Sequence, residues 1–431
     1  MKRGRFCMRV NPSSERLREL GPEDEVSFVP MEAVGEYGGL NLEITKQLGD
    51  VGSSYTEFQD GDIVVAKITP CFENGKGALA EGLTNGAALG TTELHVLRVL
   101  PALDRRFLFY LTISSVYRKT GEAEMYGAGG QKRVPPEFNK DFRTPLPPSV
   151  EQVIIADFLD RETAKIDTLV SKKRTLIERL KEKRTALISR TVTRGLPPDA
   201  ARAAGLDPHP KLKPSGIDWL GDVPEHWRTT RLKYVAEKIV DCPHETPVYA
   251  PGGDYLVIRT ADLTSGRVDL SATYKLEEEE YKKRIRREPL LAGDIVYGRE
   301  GERWGFAATV PIGVSCCLGQ RMMQFRTRRN YHPRFMMWHL NATSVYQQGD
   351  VDTLGATSPH VNVETIRNYL MAHPPFEEQL AIADFLDCHT AKIDQMIAKV
   401  ESAIERLQEY RTALITAAVT GKIDVREALH E

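Results

Sequence analysis

The sequence lacks the motifs that most catalytic and cofactor sites need. It contains no Walker loop, no F-x-G-x-G loop for a methyl donor, no Asn-Pro-Pro-Tyr or Asp-Pro-Pro-Tyr tetrapeptide, and no H-E-x-x-H. The ten histidines are dispersed along the chain, so a metal site is not expected. These absences predict a chain that binds no cofactor itself and is not an enzyme.

An excess of one charge, a cysteine framework and long apolar runs are also missing. Lys and Arg number 58 against 60 Asp and Glu, which argues against a protein that coats nucleic acid indiscriminately but permits a local basic patch. The six cysteines show no C-x-x-C spacing, which indicates a reducing, cytoplasmic setting. No stretch resembles a transmembrane span, so no membrane partner is expected, and residues 1–10 lack the apolar core of a signal peptide.

What the sequence does contain is a long internal repeat. Pro147-Pro148 opens one copy and Pro374-Pro375 opens the other, and each is followed by Glu-Gln, Ala-Asp-Phe-Leu-Asp and Ala-Lys-Ile-Asp blocks. At a fixed offset, roughly half or more of the aligned positions are identical, with no gap, which far exceeds chance. Apolar residues recur three and four apart in each copy, so the segments 147–195 and 374–431 are predicted to be long coiled-coil helices.

The apolar stripe of these helices is wider than a two-helix seam requires. Charged residues interrupt it in the first copy, at Lys173 and Lys183, so the two helices are not expected to pair symmetrically. A wide stripe can bury against helices of another protein as well. The predicted partner-binding positions are Ile166, Leu180, Leu187, Ile393, Leu407 and Leu414.

Two modules of mixed character precede the helices, one before each. The first covers 1–146, and the second covers 215–373 after a linker at 196–214. Within the first module, 62–66 and 94–99 are predicted to be strands, and Leu103 to Lys119 is predicted to be one amphipathic helix.

The second module echoes the first at low identity. The tetrapeptide Gly61-Asp62-Ile63-Val64, predicted to be a turn that enters a buried strand, recurs as Gly293-Asp294-Ile295-Val296. Two alike helices with two unlike modules suit a fixed spacer that carries two different readers. A pseudo-two-fold axis would make the helices antiparallel, and B-DNA repeats about every 34 Å, so two such readers could address successive major grooves.

Candidate contacts to DNA come from three kinds of segment. The stretch 281–334 is dense in Lys and Arg, although a solvated face neutralised by the acidic run 277–280 explains it equally well. The loop 127–133 and its counterpart 355–360 are polar and glycine-led, and either is also typical of a plain connection. Lys67 and Arg299 leave the two recurring strands. The candidate residues are Lys67, Gln131, Lys132, Arg133, Arg299, Gln320, Arg321, Thr357, Ser358 and His360.

These features together resemble the specificity (S) subunit of type I restriction-modification systems, over nearly the whole chain. The most specific segments are Pro147 to Gln152 and Pro374 to Gln379 with the blocks that follow them. In addition, 216–221 with 223–227 is similar to the segment that begins a target-recognition domain in that family.

The resemblance implies an α+β fold, in which two mixed α/β target-recognition domains are separated by two long antiparallel coiled-coil helices in a pseudo-two-fold tandem repeat. It also implies that the subunit reads a bipartite, asymmetric double-stranded DNA site. Two methyltransferase (M) subunits, which carry S-adenosylmethionine and methylate adenine N6, would dock on the helices. Restriction (R) subunits would join them to cleave unmodified DNA.

The first module departs from the family pattern because it has no counterpart of Trp219 to Trp227 and begins at Met1. Either the chain starts late or this entry segment has diverged beyond recognition, and the two alternatives leave the completeness of the first recognition domain open. One alternative is a coiled-coil interaction scaffold, or a degenerate S subunit, that reads no DNA. Another is a nuclease that uses Glu280 and Lys282, although such a triplet arises easily in a run of acids and bases. The bases that are read do not follow from the sequence.

Overall fold

The computed structural model of the protein describes residues 2–52, 54–128, 130–301, 303–353 and 359–426. By its internal contacts the chain divides into two units, unit 1 with residues 1–174 and 401–431, and unit 2 with residues 175–400. Each unit contains one of the two predicted modules together with part of each long helix.

Unit 1 is built on two four-stranded sheets. Its strands are β1 (Lys2–Arg3), β2 (Met8–Val10), β3 (Glu25–Val29), β4 (Thr45–Gln47), β5 (Thr56–Gln59), β6 (Ile63–Ala66), β7 (Gly77–Leu79), β8 (Ala87–Gly90), β9 (Leu94–Val99) and β10 (Arg143–Thr144). Its helices are α1 (Arg105–Thr112), α2 (Ser115–Ala123), α3 (Pro136–Asp141) and the first part of α4 (Ser149–Arg194). The sheets have the orders β2-β9-β6-β7 and β4-β3-β8-β5, and β1 pairs with β10.

The two strands predicted in unit 1 are present as β6 and β9. The prediction of a single helix from Leu103 to Lys119 was wrong. The segment forms two helices, α1 and α2, because Ser114 caps the second one by accepting a hydrogen bond from the N–H of Tyr117. A serine N-cap competes with helix continuation at this position, although the apolar spacing continues across it.

Unit 2 repeats the four-stranded sheet of the first module. Its strands are β11 (Leu212–Pro214), β12 (Asp222–Pro224), β13 (Arg228–Arg231), β14 (Ala236–Asp241), β15 (Tyr255–Ile258), β16 (Leu263–Thr264), β17 (Arg267–Val268), β18 (Tyr274–Leu276), β19 (Ile295–Gly298), β20 (Ala307–Thr309), β21 (Cys316–Leu318), β22 (Met322–Thr327) and β23 (Leu370–His373). Its helices are α5 (Pro198–Ala203), α6 (Leu232–Val235), α7 (Glu278–Arg284), α8 (Pro333–Leu340), α9 (Thr343–Asp350), α10 (Val363–Arg367) and the first part of α11 (Phe376–Val419). The larger sheets have the orders β14-β22-β19-β20 and β18-β15-β21.

The recurring Gly-Asp pairs place a buried carboxylate before the central strand of each module. Asp62 accepts hydrogen bonds of 2.7 and 2.8 Å from the guanidinium of Arg98. Asp294 accepts the equivalent bonds of 2.8 and 2.7 Å from Arg326. Both carboxylates are almost fully enclosed, so these pairs hold the sheet together and are not offered to a ligand.

The repeated blocks of the long helices fasten each helix to its own module. Buried Gln379 accepts a 2.7 Å bond from the N–H of His332 and donates to the carbonyl of Pro374, and Gln152 does the same for Asp104 and Pro147. The two aspartates of the Ala-Asp-Phe-Leu-Asp block bind one arginine of the module. These ion pairs are Arg106 with Asp157 and Asp160, and Arg334 with Asp384 and Asp387.

The two long helices run antiparallel. In unit 1, Leu159 shares a core with Ile415, whereas further along α4 the carboxylate of Asp167 lies 3.3 Å from Nε of Arg411. In unit 2, the equivalent ion pair joins Arg184 and Asp394 at 2.8 Å. The α+β fold with two modules, antiparallel long helices and a pseudo-two-fold repeat is therefore confirmed.

The observed helices lie inside the predicted segments 147–195 and 374–431. The division into two units runs through both helices. The predicted boundaries at 146, 195, 214 and 373 stay a prediction. Within the described part of the chain, no helix is both long and apolar enough to cross a membrane.

Candidate nucleic-acid interface

In unit 1, backbone hydrogen bonds at the end of β6 join two of the predicted DNA-contact segments, Lys67 and the loop that contains Lys132. The N–H of Lys67 donates to the carbonyl of Glu93 at 2.9 Å, and the N–H of Val134 donates to the carbonyl of Lys67 at 2.8 Å. The N–H of Thr69 bonds the carbonyl of Lys132 at 3.0 Å. Lys67, which follows β6, therefore lies beside the polar loop that contains Gln131, Lys132 and Arg133.

The side chains at this place differ in how they are held. Arg133 donates to both carboxylate oxygens of Glu93, with Nη2 2.8 Å from Oε1, and this bond lowers the pKa of the Glu93 carboxyl. Gln131 and Lys132 are exposed, and Lys67 is half-buried in the wall of a cleft of about 350 Å³. Glu93 is a functional candidate that sequence reasoning missed, because a lone glutamate after two threonines carries no recognisable signal.

A buried histidine of the neighbouring strand is hydrogen-bonded to the end of the same loop. Nε2 of His95, on β9, donates a 2.8 Å hydrogen bond to the carbonyl of Val134. Burial lowers the pKa of His95 to about 4, so the imidazole is neutral at neutral pH. The backbone of the loop is thus fixed to the sheet next to Arg133.

Unit 2 repeats this arrangement with different side chains. The N–H of Arg299 donates to the carbonyl of Arg321 at 2.9 Å, and the N–H of Val361 donates to the carbonyl of Arg299 at 3.2 Å. Glu300 and His360 face each other in an antiparallel bridge, as Ile68 and Arg133 do in unit 1. The predicted residues at the end of β19 are therefore brought together as well.

Arg299 has no surface to offer to DNA. Only 4% of the residue is exposed, and its guanidinium lies 3.5 Å from Asp241 and 2.5 Å from Glu300. It follows a fully buried strand, so its side chain turns inward and neutralises two carboxylates. Its prediction as a DNA contact is corrected on this ground, and its role is to hold Glu300.

Glu300 is the centre of the polar cluster in unit 2, and sequence reasoning missed it. Its carboxylate lies 3.0 Å from Nδ1 of His360 and 3.8 Å from Nε of Arg321. Arg321 has a left-handed backbone, with φ of 67°, which is uncommon for a residue other than glycine, and its side chain is exposed. Gln320 donates to the hydroxyl of Thr246 at 3.0 Å. Thr357 and Ser358 lie outside the described residues.

Much of the charge of 281–334 is neutralised inside unit 2. Arg326 pairs with Asp294 and Glu288, and Lys283 pairs with Glu245 at 2.7 Å. The carboxylates that neutralise Arg326 and Lys283 lie outside the acidic run 277–280. Within that run, Glu278 pairs with Lys282 and Glu280 pairs with Arg284, all on α7. Local density of Lys and Arg in the sequence therefore overstated the positive surface.

The nuclease alternative finds no converging site. Lys282 pairs with Glu278 at 2.8 Å, whereas Glu280 faces Arg284 at 3.7 Å, so the two residues point to different partners on α7. Across the described residues, no group of three or more His, Cys, Asp or Glu could hold a metal ion.

The long helices bury some of the predicted partner-binding positions. Ile166 and Ile393, which are equivalent in the repeat, are buried, so they are not among the partner contacts proposed below. Leu180, Leu187, Leu407 and Leu414 are half-buried. The large apolar side chains that the helices do expose include Leu169, Leu176, Met396 and Tyr410.

Comparison with known proteins shows which proteins this chain is similar to. Residues 224–406 match the model of the type I restriction modification DNA specificity domain. The type I restriction enzyme EcoEI specificity subunit of Escherichia coli is 41% identical over 148 residues, which are 34% of this chain and 24% of that subunit. Residues 224–406, somewhat less than half of this chain, are therefore similar to the DNA specificity domain of type I restriction-modification systems.

A more distant relative and a solved structure each cover nearly the whole chain. The MjaVIII specificity subunit of Methanocaldococcus jannaschii is 22% identical over 93% of this chain and 89% of its own. A solved structure that describes complex assembly and conformational transition of a type I R-M system has a TM-score of 0.63 at 18% identity, over 97% of this chain and 96% of that one. The matched segment spans only 24% and 25% of the EcoEI and EcoAI specificity subunits.

Proposed function

We propose that this protein is the DNA sequence-specificity subunit of a type I restriction-modification complex. Each unit reads one half of a bipartite, asymmetric site in double-stranded DNA. The observation that carries the proposal is the same in both units. The end of β6 or β19, the residue just before the neighbouring strand β9 or β22, and the polar loop are joined by backbone hydrogen bonds at one end of the equivalent sheet. The chain itself supplies recognition and no catalysis.

The proposed DNA contacts follow from exposure at these two places. In unit 1 the set is Lys67, Gln131, Lys132 and Arg133, and in unit 2 it is Gln320, Arg321 and His360, with Thr357 and Ser358 proposed from the sequence. An amide such as Gln131 suits adenine and the guanidinium of Arg321 suits guanine, whereas a lysine suits a phosphate. The carboxylates of Glu93 and Glu300 hold the cations in position and can accept from cytosine N4.

The proposed protein partners are two methyltransferase (M) subunits, which carry S-adenosylmethionine, and restriction (R) subunits. Leu169 and Met396, which are equivalent in the repeat, expose apolar surface that a helix of the M subunit can cover. The half-buried leucines Leu180, Leu187, Leu407 and Leu414 extend this surface. We place the complex in the cytoplasm, in keeping with six cysteines that form no disulfide.

Two neighbouring variants in unit 1 test the proposed contacts. Gln131→Ala removes a base-reading amide, so we expect specificity to relax at one base pair with little change for other sequences. Lys132→Ala removes a phosphate contact, so we expect weaker binding to all sequences and a salt dependence lower by about one unit of slope. Affinity is measured for the assembled complex on DNA with each base substituted, at several salt concentrations.

The matched control is Lys172→Ala, an exposed lysine on α4 that is away from the sheet end. It should leave both affinity and base preference unchanged. Unaltered specificity and salt slope in the Gln131 and Lys132 variants would show that the polar loop of unit 1 does not contact DNA.

A further inference from the structure

Each unit carries the same short element where its module joins a long helix. In unit 1 it is Arg3–Phe6, where the N–H of Gly4 donates to the carbonyl of Phe142 at 2.9 Å. In unit 2 it is Arg231–Tyr234, where the N–H of Leu232 donates to the carbonyl of Tyr369, also at 2.9 Å. The strands β1 and β13 that enter these elements pair with β10 and β23, which lead directly into α4 and α11.

The chemistry of the element is repeated position by position. Its first arginine is tied to the residue at the end of a short helix, since Arg3 lies 3.7 Å from Asp141 and Arg231 donates to Asn368 at 2.8 Å. A second cation comes two residues later. Arg5 is 2.5 Å from Asp141, whereas Lys233 lies 5.5 Å from the ring centre of Tyr234.

An aromatic ring ends the element in both units and faces solvent. Phe6 is 67% exposed and Tyr234 is 64% exposed. Neither ring contributes to the core of its unit, although exposing such a ring to water is unfavourable. An exposed aromatic flanked by cations at one place in two otherwise divergent modules indicates a shared external contact.

In unit 2 the element lies away from the proposed DNA contacts. The strand β14 starts at Ala236, two residues after Tyr234, and ends at Asp241, which contacts Arg299 beside the polar cluster. Six residues of extended strand span roughly 20 Å. Through the pairing with β10 and β23, the element is instead joined to the start of a long helix, and the long helices carry the apolar surface proposed to receive the M subunit.

We propose that Phe6 with Arg5 and Tyr234 with Lys233 are twin docking points, one for each of two copies of the same protein partner. The partner presents an apolar pocket rimmed by carboxylates, which accepts the ring and pairs with the adjacent cation. This inference rests on the proposed function, because the partner is the M subunit. Two equivalent points on one chain match two equivalent partners.

The test measures how tightly the M subunit binds the full chain and with what stoichiometry. Phe6→Ser and Tyr234→Ser are each expected to weaken one of the two binding events about tenfold, and the double variant both. Because both rings are exposed, the fold is expected to be retained, and hydrogen exchange of each variant checks this. The matched control is Ile312→Ser, an equally apolar surface residue at 91% exposure, which should bind two M subunits as the unchanged chain does.

The outcomes separate this inference from the proposed function. If the unchanged chain binds two M subunits and the double variant binds them equally well, the docking points are wrong and the proposed function stands. If the variants lose only DNA affinity, the rings contact nucleic acid and the inference is overturned. If the unchanged chain binds no M subunit, both are overturned.

Discussion

At the scale of single residues, buried polar groups decide what the surface offers. Arg299 was expected to contact DNA from its position after a strand, yet it is enclosed with Asp241 and Glu300. Lys67, at the equivalent strand end, keeps part of its side chain at the surface. The difference comes from the neighbours, because two carboxylates stabilise a buried guanidinium in unit 2.

His95 makes the polar loop of unit 1 sensitive to acid. Burial holds its pKa at about 4, below the ordinary 6.5, against the raising influence of the bond to Val134 and of Glu93 and Glu137. The unfolded chain therefore binds a proton that the folded chain does not, so stability falls as the pH drops from 6.5 towards 4. The loss approaches about 3 kcal/mol once both states are protonated.

We expect His95→Gln to remove this acid sensitivity from unit 1. The measurement is hydrogen exchange of β6 and β9 at several pH values between neutral and 4.5, corrected for the intrinsic rate. The exposed His209→Gln should retain the sensitivity of the unchanged protein. An equal fall in hydrogen-exchange protection with and without His95 would show that protonation of His95 does not destabilise the sheet.

At the scale of elements, the repeated motifs have a structural role. The amide of Gln379 joins the N–H of His332 to the carbonyl of Pro374, and Gln152 repeats these bonds in unit 1. Such a side chain fixes the first turn of a long helix to its module. Identity between the two helical segments is therefore explained in part by the need to hold a module, apart from any partner.

Gln379→Ala should destabilise unit 2 by about 2 kcal/mol, because it leaves buried backbone groups without hydrogen bonds. All four tryptophans belong to unit 2, so their fluorescence during urea unfolding reports on this unit. Gln395→Ala, at an exposed position of the same helix, should change stability by less than roughly 0.5 kcal/mol. Equal stability of the two variants would contradict the role assigned to the glutamine.

The sequence predicted these elements unevenly, for physical reasons. Strands β6 and β9 and both long helices follow from apolar periodicity and from proline at the helix starts. The faces of the helices did not follow, since Leu169 and Met396 fit the seam yet are exposed, whereas Val170 is buried. Each helix packs on its own module as well as on the other helix, and helical periodicity does not reveal which neighbour covers which face.

The sequence named the candidate residues one by one but did not predict which of them lie together. Lys67 and Arg133 lie together because the end of β6 and the polar loop are joined by backbone hydrogen bonds between residues that are distant in the chain. The carboxylates of Glu93 and Glu300 were missed, since their importance comes only from neighbours that are distant in the chain. Isolated acidic residues in a sequence that is rich in them give no signal.

At the scale of the whole molecule, the two halves of the repeat share the same structural ion pairs and backbone hydrogen bonds but carry different side chains at their polar clusters. The ion pairs of Arg184 with Asp394 and of Arg411 with Asp167 are equivalent, as are the backbone bonds that assemble each polar cluster. The side chains on those clusters differ, with Lys67 and Arg133 in one unit and Arg321 and His360 in the other. Two equivalent clusters with different side chains suit the proposed recognition of two different half-sites.

The most direct test is a methylation map of DNA from cells that express this chain with its M subunit, before and after residues 1–146 are exchanged for the first module of another family member. The account predicts a bipartite motif with N6-methyladenine on both strands. The exchange should change one half of the motif and keep the other half. An unchanged motif after the exchange, or no chain-dependent methylation while the M subunit is expressed and bound, would contradict the account.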